Sequence, residues 1–141
     1  MTRKLLMFAV LLVGSPAFAQ GTAKVQVTIT IPAKAASFEG RRLVVMLYHN
    51  YPGQEDRGMA AVDKHVDTKF SHVQGKETVL KLTLGDKAKL KTNVQYSVNA
   101  NVFEGTNKIT HVSEWKGQPG PYSVLTNGAP KEIAILLRAE K

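Results

Sequence analysis

The chain has 141 residues, with 19 basic against 11 acidic side chains, 43% hydrophobic residues and no cysteine. The missing cysteine excludes disulfides, thiolate metal sites, a thiol nucleophile and an acylated lipoprotein anchor. The formal charge of +8 can draw anionic surfaces, but the lysines are scattered singly along the sequence, the pattern of a solvated surface; no nucleic-acid partner is expected.

Residues 1–19 read as a secretory signal. Arg3 and Lys4 precede the apolar run Leu5 to Val13, Gly14-Ser15-Pro16 breaks it, and Ala17-Phe18-Ala19 carries small residues where a signal peptidase reads. The run is too short to span a membrane, which takes roughly 20 apolar residues. Cleavage after Ala19 leaves 122 of the 141 residues as a single domain, 20–141, periplasmic or secreted, with neither a membrane span nor a lipid anchor.

Within that domain, Val25, Val27, Ile29 and Ile31 alternate with polar residues, which predicts a half-buried strand ended by Pro32. Arg42 to Tyr48 is apolar on both faces and reads as a central strand covered on each side. His49 to Gly58 is a polar loop with a Pro-Gly turn signal. The next stretch is read as two short strands, Val62 to Val66 and Thr68 to Val73, followed by a turn at Gln74-Gly75 and a strand from Thr78 to Leu84.

Val94, Tyr96, Val98, Ala100 and Val102 alternate with Gln95, Ser97, Asn99 and Asn101, the cleanest period of two in the chain. Leu90 followed by Tyr96 is the arrangement of a tyrosine corner, in which the ring packs inside and the hydroxyl caps an upstream backbone group; the alternative is an ordinary buried tyrosine. A hairpin at Glu104 to Asn107 returns through Lys108 to Val112. A second long loop, Glu114 to Pro121, leads to short strands at Tyr122 to Thr126 and Glu132 to Leu137, with Asn127-Gly128 turning between them. Seven to nine short strands without a helix predict an all-β fold, an antiparallel two-sheet β-sandwich of immunoglobulin-like or prealbumin-like topology.

The second half carries a family resemblance. The strand Tyr96-Ser97-Val98-Asn99-Ala100-Asn101-Val102, the hairpin to Lys108-Ile109-Thr110-His111-Val112, the stretch Val124-Leu125-Thr126-Asn127-Gly128-Ala129-Pro130 and the closing apolar strand together resemble the YbaY-like family of small bacterial envelope proteins, which is related to type III secretion pilotins. The resemblance covers about half of the domain, and its motifs are structural. It implies a fold and an envelope compartment, and no catalytic residues. Members of that family are typically lipoproteins, and this chain departs from them in having no cysteine to acylate.

No nucleophile elbow, phosphate-binding glycine loop or zinc-protease helix occurs, and no carboxylate pair is set up for acid–base work, so a non-enzymatic protein is expected. Tyr48, His49, Tyr51 and Trp115 lie in or beside the two long loops and are candidate anchors for an envelope protein or a glycan. Trp115 can equally fold back and plug an open edge of the sandwich. The other candidate chemistry is copper or zinc binding by a subset of His49, His65, His72 and His111, with Met46 and Met59 near two of them in sequence. His65 and His72, seven positions apart, fall on opposite faces of an unbroken strand, so a bulge would be needed to aim both at one ion.

Overall fold

The computed structural model describes residues 21–54 and 58–141; the expected signal peptide lies outside the described residues. Among the described residues nine strands form: β1 (Val25–Ile31), β2 (Phe38–Asn50), β3 (Ala60–His72), β4 (Thr78–Leu84), β5 (Gln95–Glu104), β6 (Lys108–Trp115), β7 (Gln118–Pro119), β8 (Tyr122–Val124) and β9 (Glu132–Ala139). Among the described residues there is no helix, and hence none long and apolar enough to cross a membrane.

The strands belong to one sheet, in the order β3-β2-β5-β6-β9-β1-β4, with β7 paired to β6 and β8 to β5. This corrects the expectation of two separate sheets. The sheet curls on itself until β3 and β4 face each other, a nearly closed barrel with one seam. It is also not wholly antiparallel, because β1 runs parallel to β9, with Val27 opposite Ile133 and Ile29 opposite Ile135. Neither partner could be read from β1 itself, since alternation reports a buried face and not the neighbour that covers the edge.

The interior is filled from every long strand. Val25, Val27, Ile29 and Ile31 of β1, Leu43, Val45 and Leu47 of β2, Tyr96, Val98, Ala100 and Val102 of β5, and Ile133, Ile135 and Leu137 of β9 are all buried. The expected tyrosine-corner contact is present: the Tyr96 ring is buried, and its hydroxyl accepts a hydrogen bond from the Lys91 N–H at 2.9 Å. That bond pins the segment Leu90-Lys91 across the barrel end and satisfies a backbone donor in a stretch with no ladder partner.

Two sequence expectations change. The region read as two short strands is one strand of 13 residues, β3, with register shifts where Leu43 faces Asp67 but Arg41 faces Phe70, and where Leu47 faces Asp63 but Tyr48 faces Ala61. Extra residues at those points break the period of two, so the sequence read as irregular. Nor is β2 covered on both faces. Leu43, Val45 and Leu47 are buried, whereas Val44 and Met46 point outward and are half-buried.

The sheet also forks. β6 pairs with β5 from Glu104/Lys108 to Asn101/Val112, after which β8 takes over, with Tyr122 opposite Val98 and Tyr96 opposite Val124. Ser113 Oγ donates to Asn99 Oδ1 at 2.6 Å across the fork. Gly120 lies against this pair; a Cβ there would stand 2.5 Å from Asn99 Oδ1 and 2.9 Å from Ser113 Oγ, so a larger residue would have to displace that hydrogen bond. The Asn127-Gly128 turn does not make a hairpin, because β8 pairs with β5 while β9 pairs with β1 and β6.

The seam is fastened by side chains at both ends. Asp63 Oδ2 accepts the Gly85 N–H at 2.8 Å, and His72 Nδ1 shares a hydrogen bond of 2.7 Å with Thr78 Oγ1. Gly85 has φ of +73°, and a Cβ on it would run into the Ala23 carbonyl and stand 2.7 Å from Leu47 Cδ2. Gly85→Ala should therefore lower the unfolding free energy by about 3 kcal/mol, from backbone strain and overpacking together. Tyr96→Phe, which leaves the Lys91 N–H unpaired, should cost about 1–2 kcal/mol. Denaturant unfolding of the two variants beside wild type measures both.

Candidate functional site

The outward side of β3, β2 and β5 carries a group of apolar side chains. Register sets Val66 beside Val44 and Asn101, Lys64 beside Met46 and Asn99, and Ala61 beside Tyr48 and Ser97. Opposed residues of antiparallel strands share a face, so Val44, Met46 and Tyr48 form a row along β2 with Val66 on its flank. The Tyr48 hydroxyl donates to Met46 Sδ at 3.0 Å, and Ser97 Oγ lies 3.8 Å from Met59 Sδ. Ser97 is thereby buried beneath Met59, which is itself 50% exposed; Val66 is 42% exposed. Of this row, sequence reasoning named Tyr48 alone as a site residue. The signal for the others was the failure of alternation in Leu43-Val44-Val45-Met46-Leu47, which was read as double burial.

β3 ends the sheet on this side. Register places Asp63, His65 and Asp67 on the same face as the buried Leu47, Val45 and Leu43. Inward carboxylates and bulges are devices that keep an edge strand from pairing indiscriminately. Across the seam, Leu80 and Leu82 of β4 are half-buried and pack against the core, while Val79 is exposed.

The two long loops do not merge their aromatic rings into one patch. His49 meets Tyr51 edge-on at 5.9 Å and Tyr96 at 6.0 Å, and Tyr51 packs against the core. Trp115 meets Tyr122 edge-on at 5.8 Å with Lys116 over its other side, and it too packs against the core. The Tyr122 hydroxyl donates to the Gln118 carbonyl at 2.9 Å, holding the β6–β7 hairpin. Glu55, Asp56 and Arg57, in the first loop, lie outside the described residues.

The four histidines spread over the barrel. His49 is at the end where Tyr96 lies, and half-buried His65 is midway along β3. The bulges of β3 turn His65 and His72 to the same face, yet His72 lies at the far end of that strand, where it shares Phe38 with His111. Among the described residues no three His, Asp or Glu side chains are grouped to hold a metal ion.

The far end is an aromatic and imidazole plug. Phe38 contacts Phe70 at 5.8 Å, His72 at 6.1 Å and His111 at 5.0 Å between ring centres, and the Arg41 guanidinium stacks on it at 4.8 Å. His72 Nε2 lies 3.2 Å from the Ala35 carbonyl, which can only accept, so Nε2 carries a hydrogen, while Nδ1 shares its hydrogen bond with Thr78. Burial first, and then the charges of Arg41 and His72, hold the His111 pKa below its ordinary 6.5.

That shift gives a pH dependence with a definite sign. Stability contributed by the neutral His111 ring is complete above about pH 6.5 and is lost as pH falls from there toward the lowered folded value. Between about pH 7.5 and about pH 5, the unfolding midpoint of wild type should fall more steeply than that of His111→Gln. His49, whose pKa is lowered by burial and by Lys91, contributes with the same sign, so part of the slope remains in the variant.

No protein-family model and no curated protein matches the chain. Among solved structures, the chain is similar to an alternative pilotin from the type II secretion system of Vibrio cholerae. The two share 18% sequence identity, the match covers 84% of this chain and 96% of the pilotin chain, and the TM-score is 0.57. At that identity the likeness is one of fold, extending over almost the whole of the pilotin.

Proposed function

We propose that this protein is a non-enzymatic, exported envelope protein, periplasmic or secreted, that binds or escorts another envelope component. The observation that carries this reading is the likeness of its barrel to the pilotin over 96% of that chain. The signal-like segment at residues 1–19 supports the compartment. The surface supports the mode. A partner segment in extended form adds to the free edge of β3 by backbone pairing and rests side chains on Met59, Val66 and the row Val44, Met46, Tyr48. Asp63, Asp67 and the bulges keep that edge from pairing with arbitrary strands, so affinity comes from the apolar row as well as from the ladder.

A photo-crosslinking side chain at Val66, in the full-length protein expressed in its native cell, should capture one envelope protein; the same group at Ile109, on β6, should not. Val66→Lys should weaken the captured complex by about tenfold or more, since burying one valine is worth about 1.5 kcal/mol. Its thermal midpoint should stay near wild type, because the residue is 42% exposed. Equal capture at Val66 and Ile109, or none at either, would defeat the reading.

A further inference from the structure

At the barrel end where Gly21 enters, two hollows open side by side, and both are walled by Gly21 and Leu90. Lys24, Lys131, Glu132 and Leu125 line the larger, of about 360 Å³. Lys89 and Lys91 line its neighbour, of about 300 Å³. Backbone pairing gathers these lysines from three separate segments. The Ala23 N–H donates to the Ala88 carbonyl at 2.7 Å and the Leu90 N–H to the Gly21 carbonyl at 2.9 Å, which sets 21–24 beside 88–91; the Gln26 N–H donates to the Lys131 carbonyl at 3.0 Å, which brings Lys131 alongside. All four lysines are exposed, and Leu90 and Leu125 are half-buried between them. Among the described residues, none of the four is in a salt bridge, and Glu132 is the only carboxylate lining either hollow. Leu125 is held at φ of +70°, a left-handed conformation that a leucine rarely adopts.

The chemistry of this rim selects among anionic partners. It has no arginine, and so no planar fork for bidentate phosphate recognition. No aromatic ring lines the hollows on which a nucleic-acid base could stack. Lysines are point charges on flexible aliphatic stems that lie along apolar surface and extend their ammonium groups outward, which suits a diffuse layer of headgroups over hydrocarbon.

We infer that this end of the barrel docks on the surface of a bilayer containing anionic lipid, with Lys24, Lys89, Lys91 and Lys131 among the headgroups and Leu90 and Leu125 at their apolar boundary. The inference stands apart from the partner reading, which uses the other strands.

The test is co-sedimentation of the exported protein, purified from expressing cells, with vesicles of phosphatidylcholine, with and without phosphatidylglycerol, at low and high salt. Wild type should sediment with the phosphatidylglycerol vesicles and be released by salt. The double variant Lys89→Gln, Lys131→Gln should bind about 25-fold more weakly, roughly fivefold for each lysine removed. The double variant Lys34→Gln, Lys76→Gln changes the net charge equally at the opposite end and should bind as wild type does. No sedimentation of wild type, or an equal loss in both double variants, would overturn the inference. So would retention on immobilised heparin, sensitive to Lys89 and Lys131, without binding to vesicles, which would assign the rim to a soluble polyanion.

Discussion

The parallel pairing of β1 with β9 is the constraint on which the rest of the barrel depends. It joins the first and last strands edge to edge, Gln26 opposite Glu132 through Thr30 opposite Leu136. Because β1 also carries β4, and β9 also carries β6, this single ladder makes one curled sheet from what would otherwise be two. Both strands are then covered along both edges and on the inner face, and their inward valines, isoleucines and leucines lie at the centre of the core. Curling the sheet around that core leaves two edges, β3 and β4, and brings them to a common seam.

At the seam, side chains do what a ladder does elsewhere. Asp63 reaches the backbone of Gly85, and His72 reaches Thr78, so the barrel is held shut at its ends without backbone pairing along the edge of β3. A complete ladder there would have removed the edge altogether. β3 instead has a ladder partner on one side only, and the N–H groups of Lys64 and Lys69 are taken by the side chains of Asp63 and Asp67. The outward row on β2 lies immediately beside β3, and in the proposed function the edge and that row act as one recognition surface.

The two ends of the barrel differ in chemistry because different loops cap them. One is closed by Phe38, Phe70, His72 and His111, rings packed closely enough that a proton on His111 is disfavoured. The other is closed by Tyr96 holding Lys91, with lysines from three segments around two leucines. Acid weakens the first end, and salt screens the second. The β3 edge lies along the side wall between them, so a partner bound there as proposed would leave the lysine rim free to face elsewhere.

Alternation was enough to locate most of the strands. β4 runs from Thr78 to Leu84 as its leucines predict, and the buried faces of β1 and β5 follow the period of two, with Ser97, covered by Met59 on the outer side, as the exception in β5. Leu90 and Tyr96 were likewise sufficient to suggest the hydroxyl contact that Lys91 completes. The candidate site was much less legible. Tyr51 and Trp115 read as loop anchors in the sequence, with folding back as the alternative for Trp115; both rings are half-buried against the core, which a loop's polarity does not record. Val44 and Met46 look doubly buried within an apolar run, and they face outward, because nothing in the run records that the sheet has no second layer over that side. What the sequence by itself determined was the all-β class, the position of most strands and which face of each is apolar, since these follow from local periodicity. Which strands are neighbours, that the sheet is one and not two, that β3 is an edge, and that four scattered lysines share a rim were decided by the tertiary structure. Pairing between strands distant in the chain is made by backbone groups that nearly every residue carries alike, so the order of side chains records it only where a short turn joins the two strands, as between β5 and β6.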